Sequence, residues 1–134
     1  MNIPPLAPGP SLKVFIVENH EDTLRLIRRY LERKGYEVET ASSMAEALKS
    51  VPQSGCDLLL SDIGLPDGTG WELLEQLQAP GPLYAVAMSG YGSVEDRLRS
   101  QKAGFKHHLL KPCLKDLAAI LENRKRELIL SREA

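Results

Sequence analysis

The chain has 134 residues, 43% of them hydrophobic, and a formal net charge of −1, so it can form one domain with one substantial core. The near-neutral charge gives no general attraction to nucleic acid or to an anionic membrane, and no apolar stretch approaches the roughly 20 residues that span a bilayer. The start of the chain lacks a secretory signal, and Cys56 and Cys113 have neither metal-site nor redox-pair spacing, so we expect a cytoplasmic protein.

The first segment, residues 1–11, is rich in proline and almost uncharged. Such a segment cannot bury enough surface to order itself, and we interpret it as a disordered tail or an interdomain linker. The folded domain is expected to occupy residues 12–130. It begins with Leu12–Val17, a β-rich and almost continuously apolar run that is typical of a strand covered on both faces.

The next elements show the change of period that separates helices from strands. Residues Glu21–Lys34 place apolar side chains at helical spacing, and Gly35 is expected to end this helix. Tyr36–Ala41 alternates Tyr, Val and Thr with two glutamates, which indicates a strand with one wetter face at the edge of a sheet.

A capping box, Ser43-x-x-Glu46, predicts the start of a second helix that continues through Leu48. The residues expected to break this helix are Pro52, Ser54 and Gly55. The later predicted elements are the strand Asp57–Ser61, the helix Trp71–Gln78, the strand Leu83–Met88, a helix capped by Ser93 that ends at Ala103, the strand His107–Leu110 and a last helix with apolar residues from Leu114 to Leu121. Five strands alternating with five helices predict a parallel, doubly wound α/β sheet.

Four of the predicted strands stop at polar residues that suit phosphate chemistry. These residues are Glu18 and Asn19, Asp62, Ser89 and Lys111. If the strands are parallel, their carboxyl ends share one rim of the sheet, where ligands bind in open α/β folds. The sequence therefore predicts one site assembled from four separated segments.

The chemistry of such a site centres on Asp62, because an aspartate at a strand end can form an acyl phosphate. Its negative charge repels a phosphoryl group, so a divalent cation is required. Glu18 and Asn19 supply the oxygen ligands that Mg²⁺ prefers, and the metal would bridge them, Asp62 and a backbone carbonyl. The ammonium of Lys111 and the hydroxyl of Ser89 would hold the remaining phosphoryl oxygens.

Over about residues 12 to 125 the chain resembles the receiver domain of two-component response regulators. The motifs that carry the resemblance are Val17-Glu18-Asn19, Ser61-Asp62-Ile63-Gly64-Leu65-Pro66-Asp67-Gly68-Thr69-Gly70, Met88-Ser89-Gly90-Tyr91 and Leu110-Lys111-Pro112. The resemblance implies a flavodoxin-like sheet of five strands in the order 2-1-3-4-5. It also implies a phosphorylation-dependent signalling switch that is not a metabolic enzyme, although receivers catalyse their own phosphoryl transfer and slow autodephosphorylation.

The resemblance also assigns roles to particular residues. Asp62 would be the phosphoacceptor, loaded by a histidine kinase or a histidine phosphotransfer protein. Mg²⁺ or Mn²⁺ would bind Glu18, Asn19, Asp62 and the carbonyl of Gly64. Ser89 and Lys111 would contact the phosphoryl group, and His108 stands where receivers carry a rotamer switch. The face formed by the fourth helix, fifth strand and fifth helix would then change its binding to a downstream protein.

Two residues depart from the family pattern. The family usually places two acidic residues after the first strand, whereas Glu18 is followed here by the neutral Asn19. Since an amide contributes a dipole rather than a full charge, we predict weaker metal binding. At the position of His108, Tyr or Phe is commoner.

Several functional alternatives stay open at this point. Asn19 motivates a receiver that serves only as a docking surface, without phosphorylation. An aspartate-based phosphohydrolase of the haloacid dehalogenase type is less favoured, because it needs a second Asp where Gly64 stands. The chain could be a stand-alone receiver or the C-terminal receiver of a hybrid histidine kinase. No output region is recognised after the last predicted helix, so direct nucleic-acid binding is not expected.

Three nearby residues are expected to be structural. Asp67 lies in a Pro-Asp-Gly turn, where its carboxylate would bond to the backbone, and we place it outside the site. Trp71 and Tyr91 are expected to be partly packed aromatics beside the rim.

Overall fold

A computed structural model of the protein describes residues 12–77, 83–90 and 92–133. The predicted tail, residues 1–11, and Tyr91 lie outside the described residues, and so does Gln78, the predicted end of the third helix. None of the described helices combines the length and the apolar character needed to cross a membrane.

The described residues form a five-stranded parallel sheet with helices on both faces. Numbered in chain order, its strands are β1 (Lys13–Val17), β2 (Glu37–Ala41), β3 (Leu58–Asp62), β4 (Ala85–Ser89) and β5 (His107–Leu110). The helices are α1 (Glu21–Arg33), α2 (Met44–Ser54), α3 (Gly70–Gln76), α4 (Val94–Ala103) and α5 (Leu114–Glu133). The strand order is β2-β1-β3-β4-β5, which confirms the predicted flavodoxin-like order and the edge position of β2. A small antiparallel hairpin, Gly64–Leu65 with Gly68–Thr69, connects β3 to α3.

The central strands are apolar throughout because both faces of the sheet are covered. Phe15 and Leu59 point into the core that α2 and α3 cover, whereas Ile16 and Leu60 point into the core beneath α1 and α5. All four side chains are fully buried. This double burial explains why β1 and β3 show no polar alternation, as expected for inner strands of a parallel sheet.

The predicted end of α2 at Leu48 was wrong, because this helix continues to Ser54 with Pro52 inside it. Pro52 lies in the last turn, and because it has no N–H, this turn has one backbone hydrogen bond fewer. Buried Ala47 and Val51 hold the helix against the sheet. Gly55, which has a φ of +65°, then ends the helix in the left-handed conformation.

Asp67 connects the hairpin to the start of α2. Its carboxylate oxygens accept hydrogen bonds from the backbone N–H groups of Met44, at 2.7 Å, and Ala45, at 2.9 Å. These two bonds to the charged form hold the pKa of Asp67 below its ordinary value. The predicted backbone-bonding role is therefore confirmed, although the amides belong to α2 rather than to the turn that contains Asp67.

Candidate functional site

The sheet brings the four predicted segments to one rim. Asp62 is the last residue of β3 and Ser89 is the last residue of β4, while Glu18 directly follows β1 and Lys111 directly follows β5. The backbone N–H of Lys111 donates to the carbonyl of Ser89 at 2.9 Å, which continues the pairing of β4 with β5. The parallel register therefore places these side chains together, although up to 93 residues separate them along the chain.

Lys111 joins the two carboxylates of the site. Its Nζ donates to Oε1 and Oε2 of Glu18, at 2.9 and 3.0 Å, and to Oδ2 of Asp62 at 2.9 Å. Hydrogen bonds between charged partners at this distance are about twice as strong as neutral ones. One ammonium group therefore holds both acidic side chains in fixed positions.

The electrostatic balance of this cluster is negative. Glu18 is completely buried, and its burial and its hydrogen-bonding contact with Asp62 together raise its pKa from 4.5 to about 7, against the opposing effect of Lys111. For Lys111, burial acts to lower the pKa, but the hydrogen bonds to Asp62 and Glu18 outweigh it and raise the pKa above its ordinary value. Two carboxylates thus share one ammonium group, and a further cation could balance the remaining negative charge.

Neighbouring residues fix the orientation of the Asp62 side chain and the position of its backbone carbonyl. Its side chain is 15% exposed, and its Oδ1 accepts a 3.3 Å hydrogen bond from the backbone N–H of Gly64. The hydroxyl of Ser61 donates to the Asp62 carbonyl at 2.9 Å. A Cβ on Gly70 would lie 2.5 Å from that same carbonyl oxygen, so only glycine permits this close approach. In the sequence, Gly70 was noted only as the last residue of the Ser61–Gly70 motif, and its packing against Asp62 was missed.

The donor set at the rim fits a hard divalent cation. The carboxylates of Glu18 and Asp62 are adjacent, and exposed Asn19 follows Glu18 directly. These are all oxygen donors, which suit Mg²⁺ or Mn²⁺ rather than zinc. Within the described part of the chain, no group of three or more His, Cys, Asp or Glu side chains could hold a metal ion.

Ser89 takes part in a series of hydrogen bonds that connects four elements. Its Oγ is 3.1 Å from Nε2 of His108, and Nδ1 of His108 is 2.7 Å from Oγ of Ser100 in α4. The indole Nε1 of Trp71, in α3, donates to the same Ser100 oxygen at 2.8 Å. Trp71 is buried, only 7% exposed, which corrects the prediction of a partly packed aromatic. Sequence reasoning missed Ser100 entirely, since no motif contains it.

The neighbouring histidine faces elsewhere. Nε2 of His107 is 3.1 Å from the hydroxyl of Tyr84. Adjacent strand residues point to opposite faces of a sheet, and His107 and His108 accordingly have separate partners. The two rings therefore do not form a metal site together.

Comparisons with known proteins agree with this geometry. Residues 14–122 match the family model of the response regulator receiver domain. Over 105 residues the chain is 33% identical to an uncharacterized 14.6 kDa protein of Leptolyngbya boryana, covering 76% of this chain and 80% of that protein. It is also 34% identical over 101 residues to the response regulator protein PilR of Pseudomonas aeruginosa, covering 75% of this chain but 23% of PilR. The chain thus spans less than a quarter of that longer relative.

Solved structures show the same fold. A two-component response regulator from Clostridium difficile superposes with a TM-score of 0.83 at 25% identity, covering 88% of this chain and 98% of that one. A CheY-like receiver domain protein from Methanospirillum hungatei gives a TM-score of 0.76 at 30% identity, covering 87% and 98% of the two chains. The family model, which spans most of the chain, and these structural matches together place the protein in the response regulator receiver domain family of two-component signalling systems.

Proposed function

We propose that the protein is a phosphorylation-dependent switch in which Asp62 accepts a phosphoryl group from the phosphohistidine of a kinase or a phosphotransfer protein. The observation that carries this proposal is the cluster of Glu18, Asp62 and Lys111 at the carboxyl rim of the sheet. A lone strand-end aspartate would be an ordinary turn residue. Here the same aspartate is held by a lysine beside a buried acid, which is an arrangement suited to phosphoryl transfer.

The two oxygens of Asp62 have different roles in this proposal. Lys111 holds Oδ2 at 2.9 Å, whereas among the described residues Oδ1 accepts only the longer 3.3 Å bond from Gly64. We assign Oδ1 as the attacking oxygen: it forms the bond to phosphorus as the bond between phosphorus and the donor histidine nitrogen breaks. The histidine leaves with that electron pair, and Asp62 becomes an acyl phosphate. Lys111 then balances charge on the transferred group, and the hydroxyl of Ser89 contacts one of its oxygens.

In this proposal the oxygen donors at the rim would hold a divalent cation. Glu18, Asn19, Asp62 and the carbonyl of Gly64 would hold Mg²⁺ or Mn²⁺. When bound, the ion would supply positive charge that neutralises the phosphoryl oxygens. The raised pKa of Glu18 supports this assignment. Its buried carboxylate shares the ammonium group of Lys111 with Asp62, so a further cation nearby would stabilise its charged form.

Asn19 is expected to weaken that metal site. Asn19→Asp adds a full negative charge to the donor set and should tighten Mg²⁺ binding about three- to tenfold, since affinity rises with ligand charge. Isothermal titration calorimetry with MgCl₂ measures the change. Asn123→Asp is the matched control, because it adds the same charge at an exposed position in α5 and should leave the affinity unchanged. An unchanged affinity in Asn19→Asp would show that residue 19 does not contact the metal.

The output of the switch is assigned to the face of α4, β5 and α5. A groove of about 500 Å³ lies beside α4 and β5, and its lining includes the basic or titratable side chains of Arg97, Lys106, His107 and His108. His108 lines this groove and contacts Ser89, so a movement of Ser89 at the rim would change the position of His108 on this face. A downstream protein is the expected partner. The cytoplasmic location predicted from the sequence stays a prediction.

The experiment for this proposal is incubation with Mg²⁺ and acetyl phosphate, followed by intact mass spectrometry. One phosphoryl adduct is expected, and it should be lost completely in Asp62→Asn. Asp22→Asn, which changes an exposed aspartate in the first turn of α1, is the matched control and should keep the adduct. No adduct in the unchanged protein would favour the docking receiver that Asn19 suggests. Rapid turnover of small phosphate esters would instead favour the phosphohydrolase alternative.

A further inference from the structure

The hydrogen-bond chain behind Ser89 has a direction that its terminal donor determines. An indole N–H can only donate, so Trp71 gives its proton to Ser100, whose oxygen acts as an acceptor. Ser100 is 1% exposed and has one hydroxyl proton of its own. Among the described residues, its hydroxyl lies within hydrogen-bonding distance of Trp71 and His108 only. The Ser100 proton therefore goes to His108, because leaving a buried donor without an acceptor is costly.

This assignment determines the protonation of the imidazole ring. Nδ1 of His108 accepts from Ser100 at 2.7 Å, so it carries no proton. A neutral imidazole has one N–H, which must then be on Nε2. Nε2 is 3.1 Å from Oγ of Ser89, and it donates to that oxygen. His108 thus contacts the oxygen of Ser89 and does not receive its proton.

We propose that Trp71 and Ser100 are positioning residues that hold the neutral imidazole of His108 as the Nε2–H tautomer, so that the ring donates to Ser89 and does not accept the hydroxyl proton that would contact the phosphoryl group on Asp62. The last step rests on the function proposed above, whereas the tautomer does not. The four residues come from α3, α4, β5 and β4, so these hydrogen bonds also connect α3 and α4 to the rim. The guanidinium of Arg99, 4.2 Å from the Trp71 ring, covers the far end of this chain.

The tautomer can be read directly in the unphosphorylated, metal-free protein at pH 8. Long-range ¹H–¹⁵N spectra distinguish protonated from unprotonated imidazole nitrogens, and His20 and His107 can be separated by single substitutions. We expect His108 to show a protonated Nε2 and an unprotonated Nδ1. Trp71→Phe keeps an aromatic ring, although a smaller one, and removes the indole N–H, which allows Ser100 to accept from Nδ1 instead. The Nδ1–H population should rise about fivefold, the effect of one neutral hydrogen bond.

Tyr84→Phe is the matched control, since it removes a hydroxyl that contacts His107 and should leave the His108 signals unchanged. Ser100→Ala provides a second test if Trp71→Phe folds poorly. The single indole N–H resonance of the protein should then shift upfield as its acceptor is lost. A wild-type His108 with a protonated Nδ1, or a Trp71→Phe spectrum identical to that of the wild type, would overturn the proposal.

The consequence for phosphorylation is measured separately. Trp71→Phe should slow adduct formation from acetyl phosphate about two- to fivefold, since part of the His108 population would then accept the Ser89 proton. The tautomer change without any change in rate would overturn the link to Ser89 and leave the tautomer assignment standing. A wild-type protein that forms no adduct overturns the proposed function instead, and the spectra still decide the tautomer.

Discussion

Replacing Lys111 with methionine is expected to destabilise the metal-free protein by about 2–4 kcal/mol at pH 8. The substitution keeps much of the apolar stem and removes the ammonium group that holds Glu18 and Asp62. Glu18 is fully buried, so its charge would have no partner in the protein interior. Removing one partner of a buried ion pair costs more than the pair itself contributes, because the remaining charge stays desolvated.

The loss in Lys111→Met should shrink as the pH falls. The pKa of Glu18 is about 7 with the lysine present, and removing the lysine raises this pKa further. At pH 5.5 Glu18 is then protonated in the folded variant and no unpaired charge is buried. Urea unfolding in EDTA at pH 8 and pH 5.5 measures this difference. Equal losses at both pH values would show that the lysine stabilises by packing rather than by charge.

Two further variants complete that test. Lys115→Met is the matched control, because Lys115 is exposed in the first turn of α5 and its loss should change stability little. The double variant Glu18→Gln with Lys111→Met removes the buried charge together with its partner. It should recover most of the stability that Lys111→Met loses at pH 8.

Glu18→Gln alone is expected to stabilise the metal-free protein at pH 8 by about 1–3 kcal/mol. The pKa of Glu18 rises from 4.5 to about 7 on folding, a difference worth roughly 3 kcal/mol. Below pH 4.5 the carboxyl group is protonated in both states and carries no penalty. Between pH 4.5 and 7 the unfolded chain releases the proton while the folded protein keeps it, so wild-type stability falls as pH rises. Glutamine does not titrate and avoids this loss.

The measurement is urea unfolding in EDTA across pH 4.5 to 8, with the difference between variant and wild type growing through that window. Glu75→Gln, at an exposed position in α3, should show no such growth. With Mg²⁺ present the order should reverse, because an ion that binds the folded wild type stabilises it and the variant has lost a ligand. A Glu18→Gln protein that is less stable than the wild type at pH 8 in EDTA would contradict the burial argument.

The sequence by itself determined the alternation of strands and helices and the residues that end each strand. Those features are local: the period of apolar residues, the capping box at Ser43 and the terminating glycines act within a few residues. The right-handed crossover rule then predicts a parallel, doubly wound sheet, in which Asp62 and Lys111 share one rim. The strand order was predicted through the family resemblance, and the structure has that order.

Only the tertiary structure decided how the side chains use that rim. Nothing near Lys111 in the sequence indicates that it binds Glu18, which lies 93 residues away, or that complete burial raises the pKa of that acid. The contact of Trp71 with Ser100 joins two helices that no motif connects. Such contacts depend on how the helices pack on the sheet, and packing energy is shared among distant residues. Strand ends could therefore be predicted from local patterns, whereas partners, protonation and burial required the assembled fold.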